Sequence, residues 1–146
     1  MKLSPSVVED YLGDYGWAFR RVGEACWLTG WRGDERSFPL TLTLTESWLL
    51  LEVRPFVALS EDQTAAGDLA RYLLELNHLS HMIKLSMDPE NAIILSVQMF
   101  AQDLKYDEFA DALGVLGYYA ELLYDDIYTR ARNAHKIVVQ KTRFLT

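Results

Sequence analysis

Hydrophobic positions change period several times along the chain, and each change marks an element. Val8, Tyr11 and Leu12 follow Ser4-Pro5 at helical spacing, so a short first helix is predicted, with Ser4 as N-cap, Pro5 in the first turn and Gly13 as its stop. Tyr15, Trp17 and Phe19 then alternate, as a strand would, and Cys26 to Arg32 reads as a firmer strand. From Phe38 to Thr45 three leucines alternate with three threonines, the signature of a sheet strand with one buried and one wet face. Glu46-Ser47 reverses the chain into Trp48 to Val53, and Pro55 discourages further pairing.

Helical period returns with Leu69, Leu73 and Leu76, after a capping box at Ser60 to Gln63, and this helix should end near Asn77 or His78. Met82 to Met87 and Ala92 to Met99 alternate around the turn Asp88-Pro89-Glu90-Asn91, which predicts a hairpin. A last stripe (Tyr106, Phe109, Ala110, Leu113, Leu116, Ala120, Leu123, Ile127) makes one long helix to about Asn133. The order is helix, three strands or so, helix, two strands, helix. The predicted class is α+β, a two-layer sandwich of three helices on an antiparallel sheet of about five strands.

Size and composition agree with one such domain. The chain has 146 residues, half of them apolar, enough for a single core. We assign residues 1–134 to it and 135–146 to a basic tail, where Ile137-Val138-Val139 is either a short strand or loose. Cys26 is the only cysteine, so no internal disulfide forms, and a reducing compartment fits. No apolar run approaches a membrane span and the start lacks a secretory pattern; the expectation is a cytoplasmic protein without a membrane partner. The net charge of −7 is unevenly spread: residues 129–146 hold five cations and no acid, leaving nine bases against 21 acids elsewhere, or −12. An acidic body disfavours nucleic acid. The cations of Thr129 to Thr146 suit the negative end of a helix, although a tail that anchors to acidic membrane or RNA is a weaker alternative.

Candidate chemistry is sparse. His78 and His81 lack the further ligands a zinc site needs, Cys26 lacks a neighbour to activate it, and Asp103, Asp107 and Asp111 read as a solvated helix ridge. Neither glycine pair, Gly13 with Gly16 or Gly114 with Gly117, matches a phosphate-binding fingerprint. Gly114 and Gly117 point instead to a close approach, by the chain's own sheet in preference to a partner. No catalytic residue, metal site or cofactor is assigned. The surplus is apolar: Trp27 and Trp31 share a strand face, and the strand Trp48 to Val53 is apolar on both sides. Since helices cover one face of a two-layer domain, Trp27, Trp31, Trp48 and Leu50 are the candidate partner-binding surface.

Leu73-Leu74-Glu75-Leu76-Asn77, Ile83-Lys84-Leu85-Ser86-Met87-Asp88, Ala92-Ile93-Ile94-Leu95-Ser96-Val97 and Tyr106-Asp107-Glu108-Phe109 together resemble the bacterial YbjN-like family, which is similar in fold to the small chaperones of type III secretion. Tyr11-Leu12-Gly13-Asp14-Tyr15-Gly16-Trp17 fits the family's start. The resemblance spans roughly Ser4 to Asn133 and implies an α-β-β-β-α-β-β-α sandwich, a homodimer and no catalytic motif. Two functions compete. One is a non-enzymatic module that binds a protein segment through apolar sheet or helix surface. The other is a small-molecule-sensing regulator, or an enzyme, with a pocket between helices and sheet near Tyr118, Tyr124 and Tyr128.

Overall fold

A computed structural model describes residues 2–59 and 67–145, with side-chain surroundings given through Arg132. Helix α1 (Pro5–Tyr15) starts where Ser4 Oγ accepts the Val7 amide at 3.4 Å and Pro5 fills the first turn. It does not stop at Gly13. Gly16 takes the left-handed position at φ 87°, its amide reaching the Gly13 carbonyl and the Trp17 amide that of Leu12, which is where a helix end places its glycine. Tyr15 to Phe19 is consequently helix end and connector, and the strand begins later.

The sheet has six strands: β1 (Arg20–Gly23), β2 (Cys26–Arg32), β3 (Ser37–Leu44), β4 (Trp48–Ala58), β5 (Lys84–Met87) and β6 (Ala92–Phe100), in the order β1-β2-β3-β4-β6-β5, every pair antiparallel. The additional strand over the expected five is β1, four exposed residues that no periodicity marks. Pro55 does not end β4. The ladder to β6 breaks between Val53 and Val57, around a cis Arg54-Pro55 bond, and resumes to Ala58, so the missing amide of proline falls in an irregularity. The hairpin turn at Asp88 to Asn91 forms as expected: Asp88 Oδ1 accepts the amides of Glu90 and Ala92, both at 2.9 Å, and Asn91 takes φ 63°.

Helix α2 (Gly67–Leu79) and helix α3 (Tyr106–Leu145) complete the molecule. The expected capping box at 60–63 lies outside the described residues. Helix α3 runs on through Ile137 to Val139, which are therefore helical rather than strand. Its stripe Phe109, Leu113, Leu116, Ala120, Leu123 and Ile127 is buried against Leu40, Leu42, Leu51, Val53, Leu95 and Val97 of the sheet in one core. Register places those sheet residues on one face, with Thr41, Thr43 and Leu50 on the other. At Gly117 helix and sheet approach closely, since a Cβ there would run into the Trp31 ring, whereas Gly114 has nothing within 4 Å.

Asn77, two residues before the end of α2, ties that helix to β5. Its Nδ2 donates to the Leu85 carbonyl at 3.1 Å and its Oδ1 accepts the Leu85 amide at 2.8 Å, so one amide side chain satisfies both backbone groups of Leu85 on the outer edge of β5.

Candidate binding surfaces

The four candidate residues separate onto opposite faces of the sheet. Trp27 pairs with Leu42 and is wholly enclosed; its indole N–H donates to Glu9 Oε2 of α1 at 2.9 Å. It belongs to the core, and the candidate surface loses it. Trp31 shares that inner face, half-buried between Gly117 and the Trp17 ring, 5.6 Å away. Tryptophan spacing placed both on one side of β2, but Cys26, Leu28 and Gly30 on the other side are also non-polar, so pattern alone could not say which side met the helices.

Trp48 and Leu50 do lie together on the outer face. Trp48 is 39% exposed and stacks on Phe100 of β6, centroids 4.7 Å apart and planes within 22°, while Phe100 itself is 70% exposed. Their neighbours by register are Leu50, Thr43 and half-buried Cys26, whose Sγ lies 3.9 Å from Thr43 Oγ1. Among the described residues no helix covers this face. Sequence reasoning missed Phe100, because it sits at the very end of its strand; the register opposite Trp48 was the signal that could have found it.

Farther along the same face polarity takes over. Glu52, Ser96 and Lys84 form one cross-strand row, Arg54 on β4 reaches Asp88 beyond β5 at 3.1 Å, and Ile94 of β6, on this face, is 4% exposed. The Ala92 amide above all, then that of Glu90 and the Arg54 guanidinium, hold the Asp88 carboxyl below its ordinary value. The outer face thus has an apolar end at Trp48 and Phe100 and a charged end at Asp88.

Two clefts open near the helix layer. One, of about 760 Å³, is lined by Tyr15, Trp17, Thr29, Trp31, Arg32 and Ser37; burial, and next the Tyr106 hydroxyl, push the Tyr15 phenol up. The Trp31 indole N–H is buried without a partner. The other, of about 340 Å³, is lined by Arg36, Phe38, Pro39, Pro55, Phe56 and Tyr124, with the Arg36 guanidinium 4.2 Å above the Tyr124 ring. Of the three tyrosines proposed as pocket lining, only Tyr124 lines either cleft; Tyr118 is exposed and Tyr128 stacks on Tyr124 from outside. Among the described residues no group of three or more His, Cys, Asp or Glu could hold a metal ion, and no helix is long and apolar enough to cross a membrane. His78 and His81 are both exposed.

Residues 4–128 match the family model "YbjN: Putative bacterial sensory transduction regulator". The chain belongs to the YbjN family. A solved structure of YbjN from E. coli superposes with TM-score 0.59 at 19% identity, covering 90% of this chain and 92% of that one. The ExsC-ExsE complex gives TM-score 0.59 at 23% identity over 86% of this chain and 96% of that one. The Yersinia pestis type III secretion chaperone SycH, solved with a stable fragment of YscM2, gives 0.52 at 21% over 82% and 98%. These likenesses establish that this YbjN-family chain has the type III secretion chaperone-like fold. Among curated proteins none matches its sequence.

Proposed function

We propose that the chain is a non-enzymatic interaction module of the cytoplasm that binds a protein segment on the outer face of its sheet, and that it works as a homodimer. The observation that carries the reading is the stacked Trp48–Phe100 pair, two large rings left open to water on a face that no helix covers among the described residues. Exposed aromatic rings beside half-buried leucine are the composition of contact hot spots. Support comes also from the structural relatives, two of which were solved in complexes: ExsC with ExsE, and SycH with a fragment of YscM2. The acidic body, −12 over residues 1–128, repels phosphate backbones and leaves a protein as the partner.

The test is affinity purification from the native cell with wild type beside a Trp48→Ala, Phe100→Ala double variant. A partner recovered by the wild type and lost by the variant supports the reading. Recovery of the same partners in equal amounts by both chains removes Trp48 and Phe100 from the site. A second reading, a small-molecule-sensing regulator, is favoured by the 760 Å³ cleft, which is of ordinary ligand size and carries Arg32 among aromatic walls. Its readout is a ligand-induced rise in melting temperature that Arg32→Ala abolishes; a screen of anionic aromatic metabolites without such a shift counts against it.

A further inference from the structure

The border of the sheet along β2 is only partly closed. Strand β1 pairs with β2 no farther than Arg20 opposite Leu28, so Thr29 to Arg32 have a neighbouring strand on the β3 side alone. Two bonds at the ends of the β2–β3 ladder show which way their backbone groups point. The Leu44 amide donates to the Ala25 carbonyl at 2.9 Å, and the Gly33 amide donates to the Arg36 carbonyl at 2.8 Å. Antiparallel strands bond through alternate residues, so the odd-numbered residues of β2 answer β3, while Cys26, Leu28, Gly30 and Arg32 turn to the other side. Strand β1 meets the first two. Gly30 and Arg32 are exposed, and among the described residues no hydrogen bond meets their outward amides and carbonyls.

Both residues line the 760 Å³ cleft. Its inner wall is the connector from α1, held against β2 by the Thr29 hydroxyl, which donates to the Ala18 carbonyl at 2.7 Å. That wall is aromatic: Trp17 stands edge-on to Tyr15 and to Trp31, centroids 5.0 and 5.6 Å apart. Gly30 puts no side chain over the open edge. Arg32 is the one charged residue lining the cleft, and it has no ion pair among the described residues. Beyond Gly33 stand Asp34, Glu35, Glu121 and Asp125, with Arg36 as their single cation, paired to Glu35 and Asp125. The open edge is two outward groups long, about 7 Å, closed off by β1 on one side and by the turn at Gly33 on the other. A strand usually needs about 17–20 Å; a fused double ring fits the shorter span.

We infer that the cleft binds a purine nucleoside monophosphate, the base edge on the backbone of Gly30 and Arg32, a ring face against the aromatic wall and the phosphate on the Arg32 guanidinium. The inference rests on the small-molecule reading above and adds the ligand class and the strand edge that holds it. A purine carries donors and acceptors side by side in its plane, which an edge of alternating amide and carbonyl complements, and its faces stack on aromatic side chains. Guanidinium and phosphate match in geometry and sign. One phosphate is the limit, because the carboxylates beyond Gly33 outnumber their cation and repel further negative charge.

Calorimetry of the full chain with AMP and GMP tests it, followed by the nucleoside and the triphosphate of whichever binds more tightly. The monophosphate is expected to bind one site, and the other two at least about tenfold more weakly. Arg32→Ala should bring the monophosphate down to the nucleoside and leave the nucleoside unchanged. Gly30→Pro deletes an amide that faces the cleft and no bond to β3, so it should weaken both ligands about tenfold. Gly30→Ala, whose Cβ meets only the Phe38 carbonyl at 3.5 Å, should bind as wild type does. If Gly30→Pro lowers the melting temperature, the wild-type amide resonances of Gly30 and Arg32 decide, since both must shift with ligand. No binding of AMP or GMP at about 1 mM overturns the nucleotide; the small-molecule reading falls only if the anionic aromatic screen also leaves the melting temperature unmoved. Binding that survives both Arg32→Ala and Gly30→Pro, or a triphosphate tighter than its monophosphate, overturns the site as described.

Discussion

The two faces of the sheet are built from the same strands and behave as different materials. Inward, Leu42, Leu51, Val53, Leu95 and Val97 are at most 1% exposed and interlock with α3. Outward, the intervening positions are threonine, half-buried leucine, a ring pair and a charged bridge. Alternation forces this outcome, because each strand residue flips the face of the one before. The inner face carries the stability of the domain, and the outer face is free to carry its contacts.

Substitutions can break this division. The largest effect is expected inside: Leu51→Ala should lower unfolding free energy by about 2–5 kcal/mol in a denaturant titration, through lost burial and the cavity left behind. Gly117→Ala follows at about 1–3 kcal/mol, since the new Cβ meets the six-membered ring of Trp31, which must shift toward the cleft it lines. Asn77→Ala should cost about 1–3 kcal/mol by leaving the Leu85 amide and carbonyl unpaired, and should speed hydrogen exchange at Leu85. On the outer face Trp48→Ala should cost about 1 kcal/mol or less, because Phe100 already faces water. An outer-face loss as large as that at Leu51 would abolish the division of labour.

The smallest expected effect sharpens the comparison at the charged end. Asp88 titrates below its ordinary value of 3.8. A carboxyl whose folded pKa is depressed contributes stability that is complete above the unfolded value and is lost as pH falls through the folded one. The stability-against-pH curve should therefore lose a component below about pH 4, and Asp88→Ala should flatten that acid limb. An identical limb in the variant would mean that the Asp88 bridge adds nothing to folding.

Legibility in the sequence followed the same division. The Leu-Thr alternation of β3 assigned its faces without ambiguity, and the seven-residue spacings of α3 identified nearly all of its buried stripe. Where both faces of a strand are apolar, as in β2, period two survives but polarity does not, and Trp27 became a candidate for the surface although it is fully enclosed in the core. Strand β1 escaped because Arg20 and Arg21 give it no hydrophobic alternation at all; it forms by pairing with Leu28 and Trp27. The end of α1 escaped because two glycines were available and only the later one lies where the amides need a left-handed turn. The outer ring pair could be half seen: Trp48 from its two-sided strand, Phe100 only from register.

Asn77 has a consequence beyond the stability of α2. An open sheet is a template, and its last strand offers free amides and carbonyls to any passing chain. By answering both groups of Leu85 with one side chain, a helix residue takes the place that a further strand would fill at that position. At the opposite border β1 is four residues long and presents Arg20 and Arg21, a poor seat for a second copy of itself. Both borders of the sheet are thus poorer templates than an unmodified edge, β5 through the answered groups of Leu85 and β1 through its shortness and its arginines.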